Sequence, residues 1–463
     1  MPARSGEEWT PLDLSPEEMR ALGYSAVDAI VEHMTEIGSR PAYAAPDPDA
    51  LWAALGGPPP IEGTDEPAPV LHDAMRAVAR SGIRPDHPGM LAYIPNHPTF
   101  PGAIADFVVS GVNVFAGSWQ GGPGAAVVEL AALGWIRDML GLDPAADGVM
   151  QSGGSMANLV GLAVARDGHL AGATDRVLYA TDQAHSSVGR AVRLLGLPPA
   201  REVEVDEGFR MLPDRLEAAA AEDRAAGRTP WCVVAAAGAT NTGAIDDLPA
   251  LADVCDRHGM WLHVDGAYGG LLGLTERGRA ALAGIERADS LVLDAHKSLF
   301  VPLTAGIVFV RRPGLLEQTF AVRPEYLNDA YVLGGVHFSD RGPELTRPFR
   351  ALKVWLTLRT FGFRRIAAAL DRSLDLAQLA AEEIDRSDRL QRVTGPWLGI
   401  VTFRSVRGLP AGALVDAVAA SGRGVISTTT LAGEQVARAC VLGHRTRPED
   451  VRAVIRAAAS AAP

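Results

Sequence analysis

The sequence predicts an α/β protein: a large domain built on a mostly parallel sheet, followed by a small C-terminal α+β domain. From about residue 86, short apolar runs alternate with helical stretches, the order of a wound sheet. Those runs are continuous rather than alternating, which suits strands covered on both faces. Over the last hundred residues the pattern changes to long helices followed by short strands. The divisions fall at 1–85, an N-terminal helical segment, at 86–362, the large domain, and at 363–463, the small domain.

The elements follow from local chemistry. Ser15-Pro16-Glu17-Glu18 is a capping box with proline at the first helical position. Leu22, Val27, Ile30, Val31, Met34 and Ile37 then recur at helical spacing. Residues 42–69 are rich in Pro, Gly and Asp and read as linker with a short helix near Leu51. A second helix covers 72–81. Strands are expected at 148–151, 176–179, 231–237, 261–264, 290–293 and 306–310. Helices lie between them at 156–166, 186–195 and 247–258. Helices at 347–360 and 366–386 lead into the small domain. There, strands at 399–403, 424–427 and 439–442 flank a helix at 411–420, and a second capping box from Thr446 to Glu449 opens the last helix.

Composition bounds the function. The formal charge of −12 carries no nucleic-acid footprint. The opening residues lack the apolar stretch of a secretion signal, and no apolar run is long enough for a membrane span. Cys232, Cys255 and Cys440 are odd in number and widely spaced, so neither a disulfide framework nor a metal site is expected. These observations predict a cytoplasmic protein with no nucleic-acid or membrane partner.

Lysine is the most informative residue. Of 43 Lys and Arg residues only Lys297 and Lys353 are lysine. Arginine replaces lysine in most surface roles but cannot present a neutral amine. A lysine that survives such scarcity is a candidate for Schiff-base chemistry. Lys353 lies in an amphipathic helix and reads as structural. Lys297 ends an apolar strand in Asp294-Ala295-His296-Lys297. Three further groups fall at strand ends, where open α/β sheets bind ligands. Gly153-Gly154-Ser155 joins a strand to a helix; it is either a tight turn or a phosphate site at a helix N-terminus. Asp265 follows the strand at 261–264, as a cap or as the partner of a buried cation. His185 follows the strand at 176–179, as a structural hydrogen-bonder or a group facing a ring. His263, on its apolar strand, reads as a core histidine. Taken together, amine, carboxylate, imidazole and phosphate turn fit pyridoxal 5′-phosphate.

The order Gln151-Ser152-Gly153-Gly154-Ser155-Met156-Ala157-Asn158, then Asp182-Gln183-Ala184-His185-Ser186-Ser187, then His263-Val264-Asp265-Gly266-Ala267-Tyr268, then Asp294-Ala295-His296-Lys297 resembles the group II pyridoxal-phosphate decarboxylases. The nearest branch is that of the aromatic-L-amino-acid decarboxylases. Arg347-Pro348-Phe349-Arg350 resembles the family's signature before the small domain. The resemblance implies the aspartate-aminotransferase-like fold, fold type I. It also implies a homodimer with shared active sites and a swapped N-terminal segment. By position it implies Lys297 as the Schiff-base lysine, His185 as the ring-stacking histidine and Asp265 as the partner of the ring nitrogen. Ala267 and Thr240 would lie near the ring, Gly153, Gly154 and Ser155 at the phosphate, and His296 beside the lysine. Tyr93, Ile94 and Pro95 match the substrate segment. The implied reaction is decarboxylation of an L-amino acid to an amine and carbon dioxide.

Some positions depart from the family. Aligned back from Arg347, the loop tyrosine that protonates the carbanion falls on Phe338. A phenylalanine there implies an alternative, oxygen-dependent formation of an aldehyde, or another carbanion fate; Tyr326 and Tyr331 are the other residues for that role. Ala126-Val127-Val128-Glu129 replaces the usual Thr-Glu-Leu-Glu, and Asp294 replaces an asparagine. These departures leave the aromatic nature of the substrate open. An aminotransferase is disfavoured by the Asp182–Ser187 motif, and a non-catalytic homologue by the presence of Lys297 and Asp265.

Overall fold

The computed structural model describes residues 12–169, 175–322 and 334–461. The capping box at Ser15 is formed and starts α1 (Pro16–Glu36). Helices α2 (Pro48–Leu55) and α3 (Pro67–Arg80) follow, with two-residue strands β1 (Tyr43–Ala44) and β2 (Gly82–Ile83) paired around them. Next come α4 (Phe100–Val112) and α5 (Pro123–Met139). The large domain continues through β3 (Asp147–Gln151), α6 (Gly154–His169), β4 (Arg176–Ala180), α7 (Ser186–Leu194), β5 (Arg201–Glu202) and α8 (Pro213–Ala225). It ends with β6 (Thr229–Ala236), α9 (Leu248–His258), β7 (Trp261–Asp265), α10 (Glu276–Ala281), β8 (Ser290–Asp294), α11 (Ala295–Ser298), β9 (Gly306–Val310) and α12 (Leu315–Phe320).

Seven strands form one sheet in the order β3-β9-β8-β7-β6-β4-β5. All run parallel except β9, which is antiparallel to both β3 and β8. A parallel neighbour needs a long crossover, whereas the turn from β8 to β9 spans only residues 295–305 and returns the chain beside its predecessor. The strands are buried almost end to end, as the continuous apolar runs require. The carboxyl ends of the parallel strands meet on one side, beside the start of β9, and Thr181, Gly238, Asp265 and Asp294 stand there.

The rest of the chain is α13 (Ala351–Asp385), β10 (Leu390–Trp397), β11 (Ile400–Ser405), α14 (Ala411–Ala420), β12 (Ser427–Leu431), β13 (Glu434–Cys440) and α15 (Pro448–Ala461). The first of these is two helices broken at Gly362 (φ 69°, ψ 160°), close to the break expected from sequence. The four strands make an antiparallel sheet, β10-β11-β13-β12, with its own core around Leu376, Phe403, Leu414 and Val454.

Three features depart from the sequence expectation. No element was expected over 100–139, where α4 and α5 lie. Phe107, Val108 and Val112 remain exposed on α4, so its apolar residues do not fall on a single face. Strand β10 is polar and half-exposed, an edge strand without an apolar run. The strand expected at 424–427 is instead β12, and β13 starts earlier than expected. The two form a hairpin through Ala432 and Gly433, both at positive φ, and their Thr, Glu and Gln residues hid it.

A buried ion pair ties the helices to the sheet. Arg347 donates to Glu129 on α5 (2.8 Å), to the Met150 carbonyl on β3 (2.8 Å) and to the Ala116 carbonyl (3.1 Å); both charged side chains are 1% exposed. Removing one partner strands the other charge. Glu129→Ala is therefore expected to cost about 3–5 kcal/mol by urea unfolding, and Glu129→Leu with Arg347→Met together much less.

His97 is fully buried, and among the described residues neither ring nitrogen has a hydrogen-bond partner. Burial, then the charges of His444 and Arg445, push its pKa down to about 3. The unfolded chain takes up this proton first, near pH 6.5. The stability tied to neutral His97 is therefore complete above that value and is lost as pH falls toward the folded value. The expected slope is roughly 1.4 kcal/mol per pH unit between about pH 6 and 4, and His97→Gln should flatten it in urea titrations.

Candidate active site

A cavity of about 330 Å³ opens at the carboxyl ends of β3, β4, β6, β7 and β8. The turn after β3 leads straight into α6. The N–H groups of Gly154, Ser155 and Met156 precede the first intrahelical bond, from Ala157 to the Gly153 carbonyl (2.9 Å). They have no intrahelical partner and stand at the positive end of the helix dipole, where an anion is favoured. Space around this turn is tight. A Cβ on Gly154 would sit 3.0 Å from both Ala267 Cβ and Asp294 Oδ2, and one on Gly306 would lie 2.5 Å from the Gly153 carbonyl carbon.

Asp265 ends β7. Its Oδ1 accepts the Ala267 N–H (3.1 Å), and its Oδ2 accepts from Asn158 Nδ2 on α6 (2.9 Å). Asn158 also donates to Ser187 Oγ (2.9 Å), and its amide oxygen accepts from His263 Nε2 (2.9 Å). That fixes the neutral tautomer of His263, whose Nδ1 accepts from Ser290 Oγ (2.7 Å). Ser290 in turn accepts from Trp261 Nε1 (2.8 Å). Burial, opposed only by Asp265, lowers the His263 pKa to about 4. His263 is thus a core histidine, as expected, and it also orients the amide that holds Asp265.

His185 is the N-cap of α7. Its Nδ1 accepts the Ser187 N–H (3.2 Å) and faces Ser187 Oγ (2.7 Å), which leaves Nε2 for the cavity. Burial lowers its pKa, against the opposing charge of Asp265. His296, next to Lys297, has its pKa lowered by burial, with Asp294 opposing. Its Nδ1 accepts the Ala305 N–H (3.2 Å).

Lys297 Nζ lies 2.8 Å from Asp294 Oδ2 and is partly open to the cavity. The other lysine is engaged elsewhere. Lys353 Nζ binds Asp106 (2.9 Å) and the Leu303 carbonyl (3.1 Å), which braces the segment 303–304 along the cavity wall.

The structure brings Gly153, Gly154, Ser155, His185, Thr240, Asp265, Ala267, His296 and Lys297 around this cavity. It does not bring Tyr93, Ile94 and Pro95 there. Tyr93 is 62% exposed at positive φ, and its carbonyl accepts from Arg438 (2.6 Å), which also binds the Thr240 carbonyl. The neighbouring Asn96 donates to the His296 carbonyl instead, so this segment runs behind the lysine turn. Phe338 is also absent from the cavity of its own chain. It is 1% exposed, between the guanidinium groups of Arg341 and Arg347 at 5.7 and 5.1 Å from its ring centroid. The aligned position is thus a buried packing residue there. Tyr326 and Tyr331 lie outside the described residues. Asn158 and Asp294 are the polar groups whose roles the sequence motifs contained but did not reveal.

The cavity fits pyridoxal 5′-phosphate: a glycine turn a Cβ would fill, an amine, a braced carboxylate and a histidine face it from four strand ends. Fold and site together define a pyridoxal-phosphate enzyme of fold type I. Residues 58–406 match the Pyridoxal-dependent decarboxylase conserved domain, and the chain belongs to that family. It is 41% identical to an aromatic-L-amino-acid decarboxylase of Bacillus atrophaeus, over 95% of this chain and 94% of that one. Among solved structures, Oryza sativa TDC with PLP and tryptamine superposes with a TM-score of 0.90 at 27% identity, covering 98% and 99% of the two chains. The 4-hydroxyphenylacetaldehyde synthase of Rhodiola rosea superposes with a TM-score of 0.87 at 25% identity, covering 98% and 100%. The protein is a pyridoxal-phosphate-dependent amino-acid decarboxylase.

With only two lysines, labelling is decisive. Borohydride reduction with pyridoxal phosphate should fix one label per chain, on the peptide bearing Lys297; label on Lys353 would contradict the site. Gly154→Ala should weaken cofactor retention roughly tenfold, read by dialysis and absorbance, because the methyl group crowds Ala267 and Asp294.

Proposed function

We propose that the chain decarboxylates an L-amino acid with an aromatic or heteroaromatic side chain, and that Lys297, Asp265 and His185 act at the reacting atoms. The observation that carries this is one cavity joining the Lys297 amine, the Asp265 carboxylate and the open N-terminus of α6. The 41% identical relative supports the substrate class.

When bound, pyridoxal phosphate supplies an electron sink for the pair left at Cα as carbon dioxide departs. The chain does the rest. Gly153, Gly154 and Ser155 would hold the phosphate at the helix end. Asp265, oriented by Asn158, would supply the counter-charge for the ring nitrogen. His185 presents Nε2 to the cavity with its tautomer set by Ser187, and would pack against the ring and carry a proton to Cα. Ala267 would leave room beside the ring. Thr240 and His296 complete the wall.

The aldehyde-forming alternative rested on Phe338. That ring is buried beside Arg341 and Arg347 and does not line the described cavity, which weighs against this alternative. We further propose a homodimer with shared sites, in which residues 1–85 exchange between subunits. The exposed apolar residues Phe107, Val108 and Val112 on α4 support a buried partner surface. Among the described residues no helix is long and apolar enough to cross a membrane. Three buried free cysteines fit a reducing cytoplasm.

A panel of L-amino acids, assayed for carbon dioxide, amine, aldehyde and peroxide, tests the reading. Amine and carbon dioxide in equal amounts from an aromatic substrate are expected, and aldehyde with peroxide would favour the alternative. Asp265→Ala should lower kcat about 10²–10³-fold with the fold intact. Sedimentation should give twice the 48.7 kDa chain mass.

A further inference from the structure

Asp294 is 2% exposed, at the end of β8. Its Oδ2 lies 2.8 Å from Lys297 Nζ and 3.7 Å from His296 Nε2. Its Oδ1 meets no hydrogen-bond donor among the described residues. A buried carboxylate with one oxygen on an amine and the other free has room for a proton. An ammonium has no lone pair, so a lysine nitrogen must be free of its extra proton before it can attack a carbonyl, and a neighbouring acceptor speeds that step.

We propose that Asp294 is the proton acceptor of Lys297, taking the N–H proton that leaves before the amine condenses with the cofactor aldehyde. This deepens the pyridoxal-phosphate reading above and rests on it. The atoms balance within the pair. One proton passes from the ammonium to Asp294, and the amine lone pair forms the new bond to the aldehyde carbon. A second N–H proton moves to the former carbonyl oxygen. Asp294 returns the first proton to that oxygen, which leaves as water while C=N forms. The carboxylate is regenerated, and the positive charge stays on nitrogen beside it.

The other charged groups leave this role to Asp294. His296 packs on the same turn, with its Nδ1 engaged by Ala305. His185 and Asp265 reach the cavity from β4 and β7, each held by hydrogen bonds of its own. Lys353 is bound to Asp106. Gly154, at the start of α6, lies alongside: a Cβ built there would be 3.0 Å from Asp294 Oδ2.

The test is the rate of C=N formation in the cofactor-free protein, followed by absorbance from pH 6 to 9. Both pyridoxal 5′-phosphate and pyridoxal are used, so that repulsion between Asp294 and the phosphate is separated out. Asp294→Asn is expected to slow condensation about 10²-fold near pH 7 with either aldehyde, the deficit closing toward pH 9 as hydroxide takes over. Asp294→Glu should recover part of the rate, and the unaltered protein should react more slowly in D₂O. An Asp294→Asn protein that condenses faster, or with an unchanged profile, would show the carboxylate to be only a counter-ion and overturn the proposal. Equal rates in H₂O and D₂O would do the same should the variants fail to fold. If the unaltered protein forms no C=N bond at Lys297, the cofactor reading falls, and this proposal with it.

Discussion

The hydrogen bond from Asn158 to Asp265 is the contact on which the site depends. It joins α6, whose first turn offers the anion site, to β7, whose last residue is the carboxylate. Asn158 is itself aimed by His263, held through Ser290 and Trp261. A change in the spacing of strand and helix would therefore displace the helix end and the carboxylate relative to each other. Asn158, His263, Ser290 and Trp261 are all buried and each has a partner, the condition under which buried polar groups specify geometry instead of weakening a core.

The same economy governs the opposite wall. Lysine, aspartate and histidine share the short turn between β8 and β9, which only an antiparallel return could make so tight. Asn96 and the Lys353 ammonium brace that turn from outside, through the His296 and Leu303 carbonyls. The small sheet contributes from a distance: Arg438 on β13 holds the carbonyls of both Tyr93 and Thr240.

Much of this was legible in the sequence. Parallel strands buried on both faces leave continuous apolar runs, and groups that line a cavity at strand ends leave polar residues just beyond them. Lys297, Asp265 and His185 could be read that way. Asn158 could not, because a polar residue inside a helix gives no sign of what it faces. Asp294 looked like a mere departure from a motif until its oxygens could be placed. Phe338 shows the reverse error: counting back from Arg347 locates a position in the chain but not the cavity it serves. In the small domain, threonines fill β12 and Glu434 and Gln435 open β13, and their polarity masks strand periodicity around the hairpin.

The near-absence of lysine leaves the molecule with a peculiar outer coat. All but two of its 43 basic residues are arginine; one remaining ε-amine is buried against Asp106 and the other opens into the cavity. Acetyl or ubiquitin-type tags, glycating sugars and amine-seeking cross-linkers thus find no side-chain foothold outside the catalytic pocket. A reagent of that kind small enough to enter would act as an inhibitor, not as a surface dye.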